Sequence, residues 1–593
     1  MRGTPGYLAP EWLRLEITEK VDVCAFGIVL LEILYGRKNL DRSQADEEDV
    51  HLLSVFRRKA EKEQLMDMVD KNNEDMQIHK QTATELMILA AWCVLDDFTK
   101  RPSMTLVVKP KKLEKNMRQQ GLIGNSYRLL FGDLKEGYMM SKEAKSKPMN
   151  FSHDIAPRVS PLLHKTFIKY GKIAFTWFGP RPVVFINDAE IVKEIFSKPY
   201  NFLKPENYHI IKLLIKGLAA SNKDIWSRHR KIINPTFHIE KLKIMLPIFH
   251  SSCCDMVTKW DKIVSEKGSY ELDLWPNLEI LTSDGLSRAA FGSNYEEGKK
   301  IFDLQMELTE LVMKPFPYPG ASLLPTKTNR RVKEIAREVR TSIQGIISKR
   351  LKAMEAAKTG INYDDLLGVL LECNLRQIKE GQEKNLGMSM DEVIEECEFF
   401  YFAGHESTSV LIMWALILLS KHMDWQERAR QEILQVLGGQ KPDFDDLPRL
   451  KIANMILLET LRLYPPGVMF SRVLGETTKL GNITLPSGVQ VNIPTLFIHR
   501  DQEIWGNDAN EFNPERFSEG VASAVKGKFG YFPFGYGPRV CIGQNFAMLE
   551  AKVALASFLQ HFSFELSPSY AHAPYLVVTL QAQYGAQVIL RKL

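Results

Sequence analysis

"FGYGPRVCIG" runs from Phe534 to Gly543 and sets one cysteine, Cys541, among three glycines and a proline. A cysteine in such a loop is either a small buried hydrophobe, the commoner state of a free thiol, or a ligand. The pattern F-x-x-G-x-R-x-C-x-G fills five defined positions in ten residues: Phe534, Gly537, Arg539, Cys541 and Gly543. Glycines let the backbone turn close to a sulfur. The following stretch, "NFAMLEAKVALASFLQHF", reads as a helix whose positive N-terminal end would face a thiolate. An arginine two residues before the cysteine suits an anionic group on whatever the sulfur binds.

The rest of the chain bounds what that ligand can serve. With 593 residues it exceeds one ordinary domain, and its 45% hydrophobic and 25% charged residues are those of a folded globular protein. A net charge of +5, with no basic stripe interleaved with aromatics, gives no case for nucleic acid. The seven cysteines include no C-x-x-C pair, which argues against a disulfide framework and against structural zinc. The N-terminus has no signal-peptide core, and no transmembrane helix is read anywhere.

The chain changes character near residue 112, at the basic run "KPKKLEK" (Lys109–Lys115). Up to Lys112 there are 17 basic and 19 acidic residues, which leaves about +7 on the remainder. The first segment carries "GTPGYLAPEW" (Gly3–Trp12), "DVCAFGIVLLEILYGRKN" (Asp22–Asn39) and "KRPSM" (Lys100–Met104). These stretches resemble the C-lobe of a plant receptor-like protein kinase. The resemblance implies a structural ion pair between Glu11 and Arg101 and a central hydrophobic helix over Asp22–Asn39. The parts that hold ATP and Mg²⁺ in that family would all lie before this segment. Residues 1–112 are therefore expected to be a truncated, inactive remnant that binds no ATP and exposes part of its central helix.

Residues 113–593 read as mainly α with a little sheet. Asp391–Met423 is one long run, acidic at its start and apolar later, long enough to cross a domain's centre. Glu398, His405 and Glu406 break its likeness to a membrane span. "WQERARQEILQVL" and "NMILLETLRLYPP" read as amphipathic helices, the second stopped by its prolines. "IAFTWFG", "PVVFIN" and "VQVNIPTLF" read as strands.

The Cys541 loop is the haem-binding signature of the cytochrome P-450 monooxygenases, which this segment resembles from about Pro110 to its end. Further windows agree. "ETLR" supplies Glu459 and Arg462, and "NPERF" supplies Arg516. In the family these three form a buried network behind the haem loop. "WSRHR" places Trp226 and Arg230 four apart, where the family contacts a haem propionate, and Arg472 stands where it often has another propionate arginine. "AGHEST" (Ala403–Thr408) matches the oxygen-activating helix. Its small residues are expected to open the backbone above the iron. Glu406, Ser407 and Thr408 are the candidate catalytic group, an acid and hydroxyls able to relay protons. Ser407 stands where threonine is usual, and it loses the methyl that helps fix the rotamer.

The resemblance narrows to the plant clan of secologanin synthase and triterpenoid oxidases, through wording such as "HRKIINPTFHIEKLKIMLP" and "HFSFELSPSYAHAPYLVVTLQ". It implies the P-450 fold, haem b on Cys541, and insertion of one oxygen atom from O2 into a C–H bond of a terpenoid-type substrate (triterpenoid, iridoid or hormone-like). Electrons would come from NADPH through a membrane-bound reductase docking on a basic patch at "RHRK" (Arg228–Lys231). Loops near Phe202–Leu218, Val468–Ser471 and Leu576–Thr579 are expected to line the pocket. The implied location is the cytosolic face of the endoplasmic reticulum, although kinase-like sequence stands where that family carries its membrane anchor. "LVMKPFPYPGASLLP" (Leu311–Pro325) could still dip into a membrane surface. Two other readings stay open: a haem-thiolate enzyme that rearranges hydroperoxides, and a non-functional fusion or interaction protein built on the kinase remnant.

Overall fold

The computed structural model describes the chain apart from residues 1–6, 10, 12–17, 19, 45, 47–48, 62–63, 71–79, 96, 99–100, 102–107, 129–130, 206–210, 314–325, 357–364 and 381–386. Most of "GTPGYLAPEW" and "KRPSM", most of Leu311–Pro325 and the middle of the Phe202–Leu218 loop fall outside the described residues. The contacts divide the chain into two units. The first is Met1–Met139 with Phe175–Val183 and Lys314–Ala336, and the second is the remainder.

In the first unit, helices α1 (Lys20–Tyr35), α2 (Leu52–Glu61) and α3 (Lys80–Cys93) close a core of Val21, Ile28, Leu31, Leu34, Phe56, Met87 and their neighbours. Gly27 lets α1 approach α3: a Cβ there would stand 2.5 Å from the Cys93 Cβ. The Arg101 guanidinium grips the Glu11 carboxylate with both ends, one contact being 2.9 Å, and both side chains are buried. On α1, Phe26, Val29 and Ile33 are exposed at helical spacing. A continuous helix, Val108–Gln119, passes through the expected boundary at residue 112.

The second unit is helical around small sheets. Its site is carried by α4 (Lys223–Ile233), α5 (Ile239–Lys267), α6 (Leu274–Phe291), α7 (Met390–Lys421), α8 (Met423–Leu437), α9 (Lys451–Leu463) and α10 (Gln544–His561). Helix α7 starts where the sequence reading puts it. Ser389 and Glu392 form a reciprocal capping box, and Asp391 and Glu392 occupy the first turn. From Val410 to Leu419 every side chain is buried, so α7 runs through protein on all sides. It is also the single helix, among the described residues, long and apolar enough to cross a membrane. Helix α9 ends at Leu463, ahead of Pro465 and Pro466.

Strand β1 (Phe202–Leu203), β3 (Phe470–Leu474) and β4 (Gln490–Ile493) pair antiparallel, with Phe202 opposite Leu474 and Arg472 opposite Val491. Strands β2 (Ser269–Asp273), β5 (Phe562–Leu566) and β8 (Gln587–Lys592) form a second sheet, and β6 (Pro574–Leu576) with β7 (Leu580–Ala582) a hairpin. "IAFTWFG" and "PVVFIN" form the strands Ile173–Phe178 and Arg181–Ile186, as expected. "VQVNIPTLF" is only half a strand. Pro494 has no N–H for the ladder, so β4 stops at Ile493 and Thr495–Ile498 turns helical.

Candidate haem-thiolate site

The loop is shaped before the cysteine rather than after it. Gly535 and Gly537 both adopt positive φ, 75° and 71°, which disfavours any side chain. At Gly537 a Cβ would also meet the Phe196 carbonyl oxygen at 2.7 Å. Gly537–Arg539 makes one tight 3-10 turn, and the Cys541 N–H donates to the Phe534 carbonyl at 2.9 Å, which presents the thiol. Gly543 differs from its expected part. Its φ of −87° is open to any residue and a Cβ would lie 4.0 Å from the sulfur. It serves instead as the N-cap of α10, with its N–H turned to the Cys541 sulfur.

Cys541 is accessible although protein surrounds it closely. Burial pushes its thiol pKa up, while the Gly543 N–H and the Arg230 charge pull it down. Arg230 does not reach outward: its Nη1 donates to the Val540 carbonyl at 2.7 Å, one residue before the cysteine.

Around the loop stand three cations. Arg539 donates to the Ser221 carbonyl (3.0 Å) and Asn222 Oδ1 (3.1 Å), and its guanidinium lies 4.5 Å over the Trp226 ring. Arg472 is buried on β3, where its Nη1 donates to the Ser471 carbonyl at 2.9 Å. Burial, joined at Arg472 by the charge of Arg539, lowers both pKa values to about 10. Lys204, which sequence reasoning leaves unnamed inside the Phe202–Leu218 loop, is pushed well down by burial and then by these two arginines. Among the described residues none of the three has a carboxylate partner, and the Arg539 Nε is buried with no acceptor.

Behind the loop, Glu459 and Arg462 are fully buried and joined by two contacts, 2.7 and 2.8 Å. Arg462 also donates to the carbonyls of His499, Ala509 and Glu511, and Arg516 reaches Glu459 (3.3 Å) and Asp508 (2.7 Å). His499 continues the chain of contacts forward: its Nε2 accepts from the Phe532 N–H at 3.1 Å. The structure thus brings the three residues together and connects them to the loop.

On α7, Glu406 is buried. Its Oε1 accepts from Thr579 (2.5 Å) and Gln581 (2.8 Å), at the tip and second strand of the β6–β7 hairpin. Ser407 donates to the Ala403 carbonyl at 2.9 Å and Thr408 to the Gly404 carbonyl at 3.4 Å, so both hydroxyls bond back along the helix. Gly404 departs from the expected open backbone. A Cβ there would meet Leu286 at 2.7 Å, so its smallness serves the packing of α7 on α6.

The basic patch expected at Arg228–Lys231 is not presented. Arg228 pairs with Glu392, His229 is buried against Glu396 at 2.6 Å, Arg230 turns to the loop, and only Lys231 is exposed. The carboxylates that claim these side chains sit on α7, more than 150 residues away, where no local pattern announces them.

Residues 156–580 match the family model of cytochrome P450 (hereafter P-450). The chain belongs to the cytochrome P-450 family. Residues 1–111 match the protein kinase domain, of which the chain carries a partial fragment. The P-450 is 56% identical over 489 residues to the cytochrome P-450 CYP72A219 of Panax ginseng, covering 82% of this chain and 94% of that protein. It is 52% identical to the 11-oxo-beta-amyrin 30-oxidase of Glycyrrhiza uralensis, at 82% and 94% coverage. It is 49% identical to secologanin synthase 1 of Catharanthus roseus, at 86% and 97%.

The family implies haem, and the residues present fit it. Crowded cations without carboxylates, one with an orphaned Nε, suit a group carrying two propionates. A single accessible thiol receiving an N–H suits a soft axial ligand.

Proposed function

We propose that this P-450 is a haem-thiolate monooxygenase acting on a hydrophobic terpenoid-type substrate: a triterpenoid, an iridoid or a hormone-like relative. The observation that carries the reading is the Cys541 loop, with its sulfur between the Gly543 N–H and Arg230 and beside a cluster of cations without carboxylates. Haem held there supplies binding and reductive activation of O2, the thiolate favouring O–O cleavage.

Each residue of the chain has a part. Cys541 is the metal ligand. Arg472, Arg539 and Lys204 would hold the propionates, Trp226 stacks under Arg539, and Arg230 keeps the loop carbonyl at Val540 in place. Phe534 and Gly537 give the loop its turn. Glu459, Arg462 and Arg516 brace it from behind. Glu406 is the proton-carrying acid: Thr579 and Gln581 fix one oxygen and leave the other to exchange a proton. Ser407, whose hydroxyl rests on the Ala403 carbonyl, keeps a lone pair to receive a proton, and Thr408 lies one residue deeper. The substrate class rests on the likeness to the amyrin oxidase and secologanin synthase, and the Leu576–Thr579 turn, which touches Glu406, would line its pocket.

Electrons would come from NADPH through a reductase at the cytosolic face of the endoplasmic reticulum. Because Arg228, His229 and Arg230 are engaged internally, that partner would dock elsewhere than on RHRK.

The test is the carbon-monoxide difference spectrum of the reduced full-length chain. The strongly red-shifted Soret band of thiolate-ligated haem is expected, and Cys541→Ser is expected to abolish it. Substrate-induced spectral shifts with 11-oxo-beta-amyrin and with an iridoid glucoside then choose between the classes. An unshifted band in the parent chain would overturn the reading.

A further inference from the structure

The acid Glu406 is gripped from outside its own helix. Thr579 Oγ1 and Gln581 Nε2 both donate to its Oε1, at 2.5 and 2.8 Å, from the turn and second strand of the β6–β7 hairpin. Tyr575 stands directly opposite Gln581 in the hairpin register, so the two side chains share one face. The Tyr575 hydroxyl donates to Gln581 Oε1 at 3.1 Å. An amide whose oxygen is taken in this way turns its NH2 to the carboxylate. Both donors at Glu406 are neutral. Such bonds weaken steeply once their angle is lost, whereas an ion pair tolerates a small shift. The base of the hairpin is pinned. Arg158 donates to the Pro574 carbonyl (3.1 Å), to Gln583 Oε1 (2.7 Å) and to the Ala144 and Lys147 carbonyls (both 2.6 Å). Trp414, on α7 beyond Glu406, donates to the Leu580 carbonyl at 2.7 Å. Leu576, Val577 and Val578 at the turn are only half-buried, and they lead directly into Thr579. One hairpin thus joins three apolar side chains at its turn to the polar grip on the acid.

We propose that Thr579 and Gln581 are the positioning residues of Glu406, and that the hairpin makes proton delivery depend on how the substrate sits. A substrate that fits against Leu576–Val578 leaves the hairpin as it stands, and the acid stays aimed. One that pushes the turn aside tilts Thr579 and Gln581 off Glu406 Oε1. The acid then loses its orientation while the substrate stays bound. Fit is read out in the share of electrons that reach product rather than in affinity alone. Tyr575 acts through Gln581: without its hydroxyl the amide is free to rotate and to present its oxygen, which cannot donate, to the carboxylate. This role rests on the monooxygenase reading; the grip on Glu406 does not.

The test uses the full-length chain with Thr579→Val, Thr579→Ser, Gln581→Met and Tyr575→Phe. The first readout needs neither substrate nor reductase. The infrared difference between the parent and Glu406→Gln gives the carboxyl band of Glu406. That band is expected to shift in Thr579→Val and in Gln581→Met, and to return in Thr579→Ser. A band indifferent to both substitutions would overturn the grip. The second readout is reductase-driven oxidation of NADPH with 11-oxo-beta-amyrin as probe. Thr579→Val and Gln581→Met should raise the share of hydrogen peroxide at least about twofold while the spectral dissociation constant of the probe changes less than about twofold, with Thr579→Ser restoring the parent share. Tyr575→Phe should raise that share too, and should add nothing further to Gln581→Met in the double variant. An unchanged share, or a rise matched by an equal loss of probe affinity, would overturn the positioning role. The carbon-monoxide band per protein identifies a variant that fails to fold, and Tyr575→Phe, which removes a single hydroxyl, then decides. If the parent chain itself forms no product, the monooxygenase reading fails and the coupling role falls with it, while the infrared shift still reports the grip.

Discussion

Gly537 and Glu459 show how little freedom single positions have here. Gly537 combines positive φ with a carbonyl 2.7 Å from where a Cβ would sit, and that carbonyl belongs to a helix backbone that cannot swing aside. Gly537→Ala is expected to cost about 2–3 kcal/mol and to lower haem occupancy, read by chemical denaturation and by absorbance per protein. Gly543→Ala, with open φ and room for a Cβ, should retain haem. Glu459→Gln leaves Arg462 buried without its carboxylate, and Arg516 with Asp508 alone. The expected loss is about 3–5 kcal/mol in stability, read from the denaturation midpoint. The F-x-x-G-x-R-x-C-x-G spacing and the "ETLR" turn make these positions legible in the amino-acid order alone, because their chemistry is local. Lys204 is not legible in that way: one lysine in a loop becomes a site residue only once folding sets it against Arg472 and Arg539.

At the scale of elements, the starts and stops follow the chain closely. Ser389 and Glu392 cap α7 reciprocally, so Ser389→Ala is expected to cost about 1 kcal/mol, measured by urea denaturation of the haem-loaded chain. Prolines end α9 and β4 as their missing N–H groups require, and the alternating apolar pattern around Pro494 masks the second stop. Helix α4 defeats sequence reasoning for another reason. A helix bearing Arg228, His229 and Arg230 reads as a basic surface until α7 supplies Glu392 and Glu396. Charge patterning along one helix cannot see the acids of a distant one. The same limit hides the Thr579 and Gln581 contacts to Glu406, although the Leu576–Thr579 turn itself is expected to line the pocket.

For the whole molecule, buried titratable groups set an acid limit. Burial lowers His153 and His499 to about 3 and His572 to about 4. Their unfolded values lie near 6.5, so below that pH the unfolded chain takes up protons the folded one refuses. Stability is expected to be full above about pH 6.5 and to fall progressively towards about pH 4, as thermal denaturation across that window will show. Glu279, half-buried on α6, acts oppositely within the same window: burial and nearby carboxylates raise its folded value to about 7, so it withdraws stability as pH rises from its ordinary carboxylate value to about 7. Glu279→Gln removes that opposing contribution and should steepen the fall in stability below about pH 6.5.

The exposed strip of Phe26, Val29 and Ile33 bears on how long such a protein lasts in a cell. Solvent-facing aromatic and branched side chains along a helix are what chaperones hold and quality-control proteases select. Such a strip would act as a handle for degradation of the chain that carries it. Its steady-state abundance answers to that strip as well as to its own folding, and replacing the three residues with serine would lengthen its half-life without touching the haem loop.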